Sequence, residues 1–117
     1  MYEYTSMDDW DTWEENINSS EFVMVDFFAT WCQPCKLLDA QIKKAAEKYP
    51  NLKIFKVDID EAEEITDNLE IENLPMVYLF KNGKQTGMFM GSKYDVFHKK
   101  VEAVSYTHLT LPTSIQV

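Results

Sequence analysis

The only two cysteines of the 117-residue chain, Cys32 and Cys35, follow closely after a largely apolar run over residues 22–28. An apolar run of that length between polar segments predicts a central β-strand that is buried on both faces. The periodic apolar residues after Pro34 predict a helix, so the cysteines stand where a strand passes into a helix. Two cysteines separated by two residues can close a small disulfide ring, which favours a reversible redox pair.

The other predicted elements alternate between helix and strand, which indicates an α/β fold. Helices are predicted at residues 8–18, from Pro34 to Tyr49, leading into Asn68, and at 93–104. Strands are predicted at residues 22–28, 52–59, 76–80 and 85–90. Asn82 and Gly83 lie between the last two strands and predict a β-hairpin, so the sheet should end in an antiparallel pair.

The chemistry of the cysteines follows from their place at a helix start. Unpaired backbone N–H groups and the positive end of the helix dipole would favour a thiolate at Cys32. Cys35, one turn later, could then attack a mixed disulfide as an intramolecular nucleophile. A purely structural disulfide and a zinc site are the alternatives, although His98 and His108 would be the only other soft ligands.

Charge and length limit the partners and the compartment that we expect. The formal net charge of −9 would repel phosphate backbones and anionic lipid, so we expect neither nucleic acid nor a membrane as a partner. The first nine residues lack the basic and apolar segments of a signal peptide, which predicts a cytoplasmic protein unless such a peptide has been removed. A chain of this size fits one domain, and we expect a monomer.

The last thirteen residues differ in composition from the rest of the chain. Residues 105–117 contain no Lys, Arg, Asp or Glu, although these residues make up 26% of the whole sequence. We therefore divide the chain into a domain over residues 1–104 and a tail over residues 105–117. The tail is interpreted as an added strand, a disordered segment or sequence foreign to the natural gene, and we assign it no function.

Several motifs together carry a resemblance to a known family. They are Asp26 in the buried strand, Trp31-Cys-Gln-Pro-Cys-Lys36 at the helix start, Leu74-Pro75 before the hairpin, Gly83 within it and Gly91 after it. Over residues 1–104 the chain resembles the thioredoxins. The resemblance implies a thioredoxin fold, a central five-stranded mixed β-sheet flanked by four α-helices. It also implies a protein disulfide reductase that works by dithiol–disulfide exchange.

The resemblance implies roles for particular residues. Cys32 is implied to attack and Cys35 to resolve, while Asp26 takes the Cys35 proton through water and Lys56 modulates Asp26 from the next strand. Burial of Asp26 should itself raise the pKa of its carboxyl. Pro75 is implied to be a cis-proline beside which a substrate segment pairs with the backbone. The implied substrate-binding residues are Trp31, Gln33, Pro34, Leu74, Pro75 and Gly91.

The resemblance also implies how the protein obtains and delivers electrons. No bound cofactor is expected, because a thioredoxin reductase drawing on NADPH would regenerate the dithiol. The substrates would be oxidised proteins. Two alternatives stay open: a thioredoxin-fold disulfide oxidant or isomerase, and a non-redox interaction module that uses the same groove.

Three residues depart from the common thioredoxin pattern. Gln33 stands where glycine is usual, Phe28 where a second tryptophan is frequent, and Ala40 where a proline kinks the helix. Gln33 is expected to alter substrate choice or redox potential. Ala40 should leave the long helix straighter.

Overall fold

The computed structural model describes residues 2–106 of the chain. Its strands are β1 (Thr5–Ser6), β2 (Phe22–Phe28), β3 (Leu52–Asp58), β4 (Met76–Lys81) and β5 (Lys84–Met90). Its helices are α1 (Trp13–Ile17), α2 (Gln33–Lys48), α3 (Glu63–Leu69) and α4 (Tyr94–Ser105). The expected five-stranded sheet with four helices is therefore confirmed over the described residues.

The strands lie side by side in the order β1-β3-β2-β4-β5. β3 runs parallel to both β1 and β2, whereas β4 runs antiparallel to β2 and β5. This is the mixed sheet that we expected, with the apolar run of β2 at its centre. The hairpin turns at Asn82 and Gly83, whose φ angles of 54° and 83° are both positive, as a two-residue hairpin turn requires.

The alternation of side chains along β2 determines on which face of the sheet the Asp26 carboxylate lies. One face of the sheet packs with α1 and α3, and the other packs with α2 and α4. Phe22 and Met24 belong to the second face, and Asp26 continues their alternation. Lys56 is the partner of Asp26 in the register between β2 and β3, so both side chains lie on the α2 face.

The predicted helix boundaries differ slightly from those observed. The segment predicted as one helix over 8–18 is a 3-10 turn, Trp10–Thr12, followed by α1. It starts later than predicted because Asp9 is extended and its carboxylate accepts a hydrogen bond from the Asp11 N–H at 2.9 Å. α2 continues without interruption past Ala40 to Lys48.

The end of the described chain bears on the predicted tail. α4 runs to Ser105, which composition had placed in the tail, and the backbone N–H of Tyr106 bonds back to the helix at Glu102. The rest of the tail prediction, residues 107–117, lies outside the described residues. None of the described helices combines the length and apolar character that crossing a membrane requires.

Candidate active site

The two cysteines form a disulfide at the start of α2, with their Cα atoms 5.3 Å apart. Cys32 has an extended backbone and caps the helix, and its Sγ accepts a hydrogen bond from the Cys35 N–H at 3.2 Å. Pro34 fits the first turn because it needs no N–H partner there. The N–H that contacts the sulfur of the disulfide would stabilise a thiolate at the same position more strongly, because hydrogen bonds to ionised acceptors are stronger.

Each cysteine borders a different pocket. Both are buried, with 5% of Cys32 and 6% of Cys35 exposed. Cys32 lines a pocket of about 470 Å³ together with Trp31, Gln33, Pro34, Ile59, Glu72 and Leu74. Cys35 lines a pocket of about 370 Å³ together with Phe28, Ala29, Thr30, Lys36, Asp39 and Lys56. The two sulfur atoms of the disulfide therefore belong to residues that line separate pockets.

Asp26 is a buried carboxyl whose nearest positive charge is Lys56. Its Oδ2 atom lies 3.8 Å from the Lys56 Nζ. Burial raises the pKa of Asp26 from 3.8 to about 7; Lys56 opposes this rise in pKa and Asp39 adds to it. A carboxyl with a pKa near neutrality can accept and return a proton under physiological conditions.

The residues predicted to bind substrate lie in two adjoining groups. Trp31, Gln33, Pro34 and Leu74 line the Cys32 pocket, and Leu74 also packs against the cysteines. Trp31 is 68% exposed, and its Nε1 donates a hydrogen bond to the Asp60 Oδ2 at 2.9 Å.

The second group adjoins Leu74 along the chain. The peptide bond between Leu74 and Pro75 is cis, and the Pro75 carbonyl accepts a hydrogen bond from the Gly91 N–H at 3.3 Å. Gly91 has a φ of 107°, in the region that favours glycine. Neither Pro75 nor Gly91 lines the Cys32 pocket, so they border the site through Leu74.

Sequence reasoning missed several residues that the fold brings to the site. Ile59, Glu72 and Asp60 belong to loops, where no periodic pattern indicates in which direction a side chain points. Asp39 follows Cys35 by four residues, and that helical spacing could have placed both on one face of α2. Tyr2, which contacts Asp39, is distant in sequence from every other residue of the site and gives no local indication.

A zinc site at the cysteines is one of the alternatives that the sequence allows. Among residues 2–106, no group of three or more potential ligands of the His, Cys, Asp and Glu types comes together. The His98 Nε2 lies 2.8 Å from the Gln41 Oε1, and His108 lies outside the described residues. The described histidine is therefore engaged with Gln41 in a hydrogen bond.

The geometry of the cysteine pair and of Asp26 defines a class of protein. A disulfide caps a helix at the edge of a mixed sheet, its sulfur contacts a helix N–H, and a buried carboxyl of near-neutral pKa lies beneath the same helix. This arrangement is that of a thiol–disulfide oxidoreductase.

Comparison with known proteins gives the family. The sequence profile of the thioredoxin family matches residues 5–103. Thioredoxin-1 of Saccharomyces cerevisiae is 40% identical over 76 residues, which cover 65% of this chain and 74% of that protein. A thioredoxin H-type of Picea mariana is 33% identical over 103 residues, covering 85% and 82% of the two chains. The chain therefore belongs to the thioredoxin family.

A solved structure supports the same assignment. The oxidised form of mitochondrial thioredoxin 3 from Saccharomyces cerevisiae superposes with a TM-score of 0.80 at 27% identity, covering 86% of this chain and 94% of that one. The chain is a protein disulfide reductase that exchanges dithiol and disulfide through Cys32 and Cys35. Thioredoxins need no bound cofactor for this exchange.

Proposed function

We propose that this protein carries electrons from NADPH, by way of a thioredoxin reductase, to oxidised protein substrates. The observation that carries the proposal is the Cys32–Cys35 disulfide itself. Each turnover that reduces a substrate disulfide leaves the protein in this oxidised form, so two electrons must be returned from outside before the next. Membership of the thioredoxin family supports NADPH and a thioredoxin reductase as the source.

The proposed reaction has two steps that balance in electrons and protons. The Cys32 thiolate attacks one sulfur of the substrate disulfide, which forms a mixed disulfide and releases the other sulfur as a thiolate. Cys35 then loses its proton and attacks the Cys32 sulfur, so the mixed disulfide breaks and the second substrate sulfur leaves. Asp26 accepts the Cys35 proton through water, with Lys56 modulating its charge.

The pocket on the Cys35 side supports this path for the proton. Cys35 and Lys56 line it together, and Lys56 contacts Asp26. Its volume of about 370 Å³ and the charged side chains of Lys36, Asp39 and Lys56 in its lining allow it to hold water.

Substrate is proposed to dock on the Cys32 side. Trp31, Pro34 and Leu74 offer apolar surface around Cys32, and the backbone of Leu74, beside Pro75 and Gly91, is proposed to pair with an extended substrate segment. Gln33, exposed inside the same pocket, is placed to influence which substrates bind.

A coupled assay tests the electron supply. With NADPH, a yeast thioredoxin reductase and insulin, addition of the protein should cause continuous loss of NADPH absorbance, because each insulin disulfide consumes one regenerated dithiol. The matched control replaces the reductase by dithiothreitol. Reduction of insulin with dithiothreitol but not with any NADPH-dependent thioredoxin reductase would reject the donor while leaving the reductase activity intact.

The Trp31→Ala variant tests the docking surface. We expect the KM for insulin to rise about tenfold, because exposed tryptophans at binding surfaces contribute on the order of 1–2 kcal/mol. The rate with a small aromatic disulfide, which needs no docking surface, should change little. Trp31→Phe keeps most of the apolar area, so its KM for insulin should lie between those of wild type and Trp31→Ala. Equal losses with insulin and the small disulfide would assign Trp31 to the chemistry instead of docking.

We also propose that the protein acts as a monomer in the cytoplasm. A reducing compartment suits a pair of cysteines that cycles during function, and the acidic charge disfavours self-association. One structural neighbour is mitochondrial, which makes that organelle the alternative. Cell fractionation decides the compartment, and size-exclusion chromatography with light scattering decides the oligomeric state.

A further inference from the structure

The Lys56 ammonium lies between two carboxylates and is closer to the more exposed one. Its Nζ is 2.9 Å from the Asp39 Oδ1 and 3.8 Å from the Asp26 Oδ2. The first distance is that of a charge-assisted hydrogen bond, and the second is too long for one. The Asp39 side chain is 43% exposed and that of Asp26 is 5% exposed, so the buried carboxylate has the longer of the two contacts with Lys56.

Aromatic side chains fix the ammonium in this position. The Lys56 Nζ lies 4.9 Å from the ring centroid of Phe28, 5.1 Å from that of Tyr4 and 5.9 Å from that of Tyr2, each within cation–π range. The Tyr2 hydroxyl also donates a hydrogen bond of 2.5 Å to the Asp39 Oδ1, the same oxygen that accepts from Lys56. The segment before β1 therefore holds both members of the Asp39–Lys56 pair.

We propose that Asp39, held by Tyr2, is a positioning residue for disulfide reduction: it keeps the Lys56 ammonium away from Asp26 and so preserves Asp26 as a proton acceptor for Cys35. The proposal rests on the proposed role of Asp26 and adds a residue on which that role depends. Asp39 acts through Lys56, to which it is hydrogen-bonded, and not on the reacting sulfurs themselves.

The charged groups around Asp26 determine whether Asp39 raises or lowers its pKa. Lys56 on β3 contacts Asp26 directly. The other titratable groups that line the two pockets bordered by Lys56 are Cys35, Lys36, Asp39 and Lys43 on α2, and Tyr2 and Tyr4 before β1. The neighbour of Asp26 on β4 is the apolar Val77. The negative charge of Asp39 raises the pKa of Asp26 directly, and its hydrogen bond to Lys56 weakens the one contact that lowers that pKa.

Loss of the Asp39 carboxylate would therefore lower the pKa of Asp26. Without that carboxylate, the ammonium can approach the Asp26 carboxylate to hydrogen-bond distance. The ionised form of Asp26 is then stabilised and becomes a weaker base toward a thiol at neutral pH. A proton leaving Cys35 as its sulfur bonds to the Cys32 sulfur would have a poorer acceptor, while the substrate thiolate still leaves with its electron pair.

The Asp26 titration can be measured directly in the oxidised protein, where neither cysteine titrates. We expect the midpoint of the Asp26 carboxyl ¹³C shift in Asp39→Asn to fall by on the order of one pH unit relative to wild type. Asp39→Glu, which keeps the carboxylate, should restore a midpoint close to wild type. Asp67→Asn is the matched control, because it removes the same charge from an exposed position on α3, over the other face of the sheet.

Kinetics then separate this proposal from the role of Asp26 on which it rests. In the reduced protein, the acidic limb of the pH–rate profile for insulin reduction should move to lower pH in Asp39→Asn and stay in place in Asp67→Asn. An Asp26 midpoint that is unchanged in Asp39→Asn overturns the positioning by Asp39. A lowered midpoint with an unchanged pH–rate profile supports the placement of Lys56 by Asp39 and rejects Asp26 as the proton acceptor.

Discussion

Replacing Cys32 by serine should reduce the rate of insulin reduction to that of the assay without protein. A serine hydroxyl does not ionise near neutral pH and cannot form a mixed disulfide, so the first step of the exchange has no nucleophile. The helix N–H that contacts the Cys32 sulfur cannot compensate, because it stabilises a charge that serine does not carry. Turbidity of reduced insulin in dithiothreitol, with and without the variant, measures the loss.

Cys35→Ser should lose turnover by a different route. Its Cys32 remains able to attack, but no second thiol releases the product, so the variant should accumulate as a mixed disulfide with one substrate chain. Mass spectrometry before and after dithiothreitol detects this adduct. Cys32→Ser is the matched control and should form no adduct through the attacking position.

The same pair of variants decides whether any cellular role is independent of redox chemistry. A reductase loses its role with either cysteine, whereas an interaction module that uses the same groove keeps it. Full complementation of a thioredoxin-deficient strain by both serine variants would show that such a strain needs the groove and not the thiols.

The central elements could be predicted because their determinants are local. β2 is marked by its apolar run and α2 by periodic apolar residues behind Pro34, and the hairpin by Asn82 and Gly83. β1 has only two exposed residues, Thr5 and Ser6, and exists because they pair with β3. No local pattern indicates such a strand, so only the resemblance to thioredoxins supplied it.

The residues of the site likewise divide into those that a local motif indicates and those that only the fold brings together. The cysteines, Trp31 and Pro34 are contiguous, so one motif indicates them together. The Asp26–Lys56 contact follows from the register of two parallel strands, which the resemblance implied and the structure shows. The contact of Asp39 with Tyr2 joins residues 37 positions apart through side chains alone. Neither periodicity nor a motif indicates that contact, although it bears on the charge of the same site.

Asp26→Ala should stabilise the protein above neutral pH. In the unfolded chain this carboxyl ionises near its ordinary pKa of 3.8, whereas in the folded protein burial raises the pKa to about 7. With respect to this group, the free energy of unfolding is highest below pH 3.8, where the carboxyl is protonated in both states, and it falls as the pH rises toward 7. At about 1.36 kcal/mol per pH unit, the ionised carboxylate costs on the order of 4 kcal/mol.

The gain in the variant is smaller than that cost. Alanine leaves a small cavity, and Lys56 loses its contact with Asp26, although it keeps its hydrogen bond with Asp39. We expect the free energy of unfolding of oxidised Asp26→Ala to exceed that of wild type by about 2–4 kcal/mol at about pH 8, and to differ little near pH 4. Urea unfolding at both pH values measures it.

Two comparisons make the result specific to a buried carboxylate. Removing any negative charge from a protein with a net charge of −9 relieves some repulsion, so Asp67→Ala, on the exposed surface of α3, gives the size of that general effect. Equal gains in the two variants would contradict the cost assigned to Asp26. The reduced Asp26→Ala variant should also reduce insulin more slowly at neutral pH, because Cys35 loses its proton acceptor. A gain in stability together with a slower reduction of insulin would show that the protein keeps this destabilising carboxyl for its chemistry. A stabilised Asp26→Ala variant that reduces insulin at the wild-type rate would remove Asp26 from the mechanism.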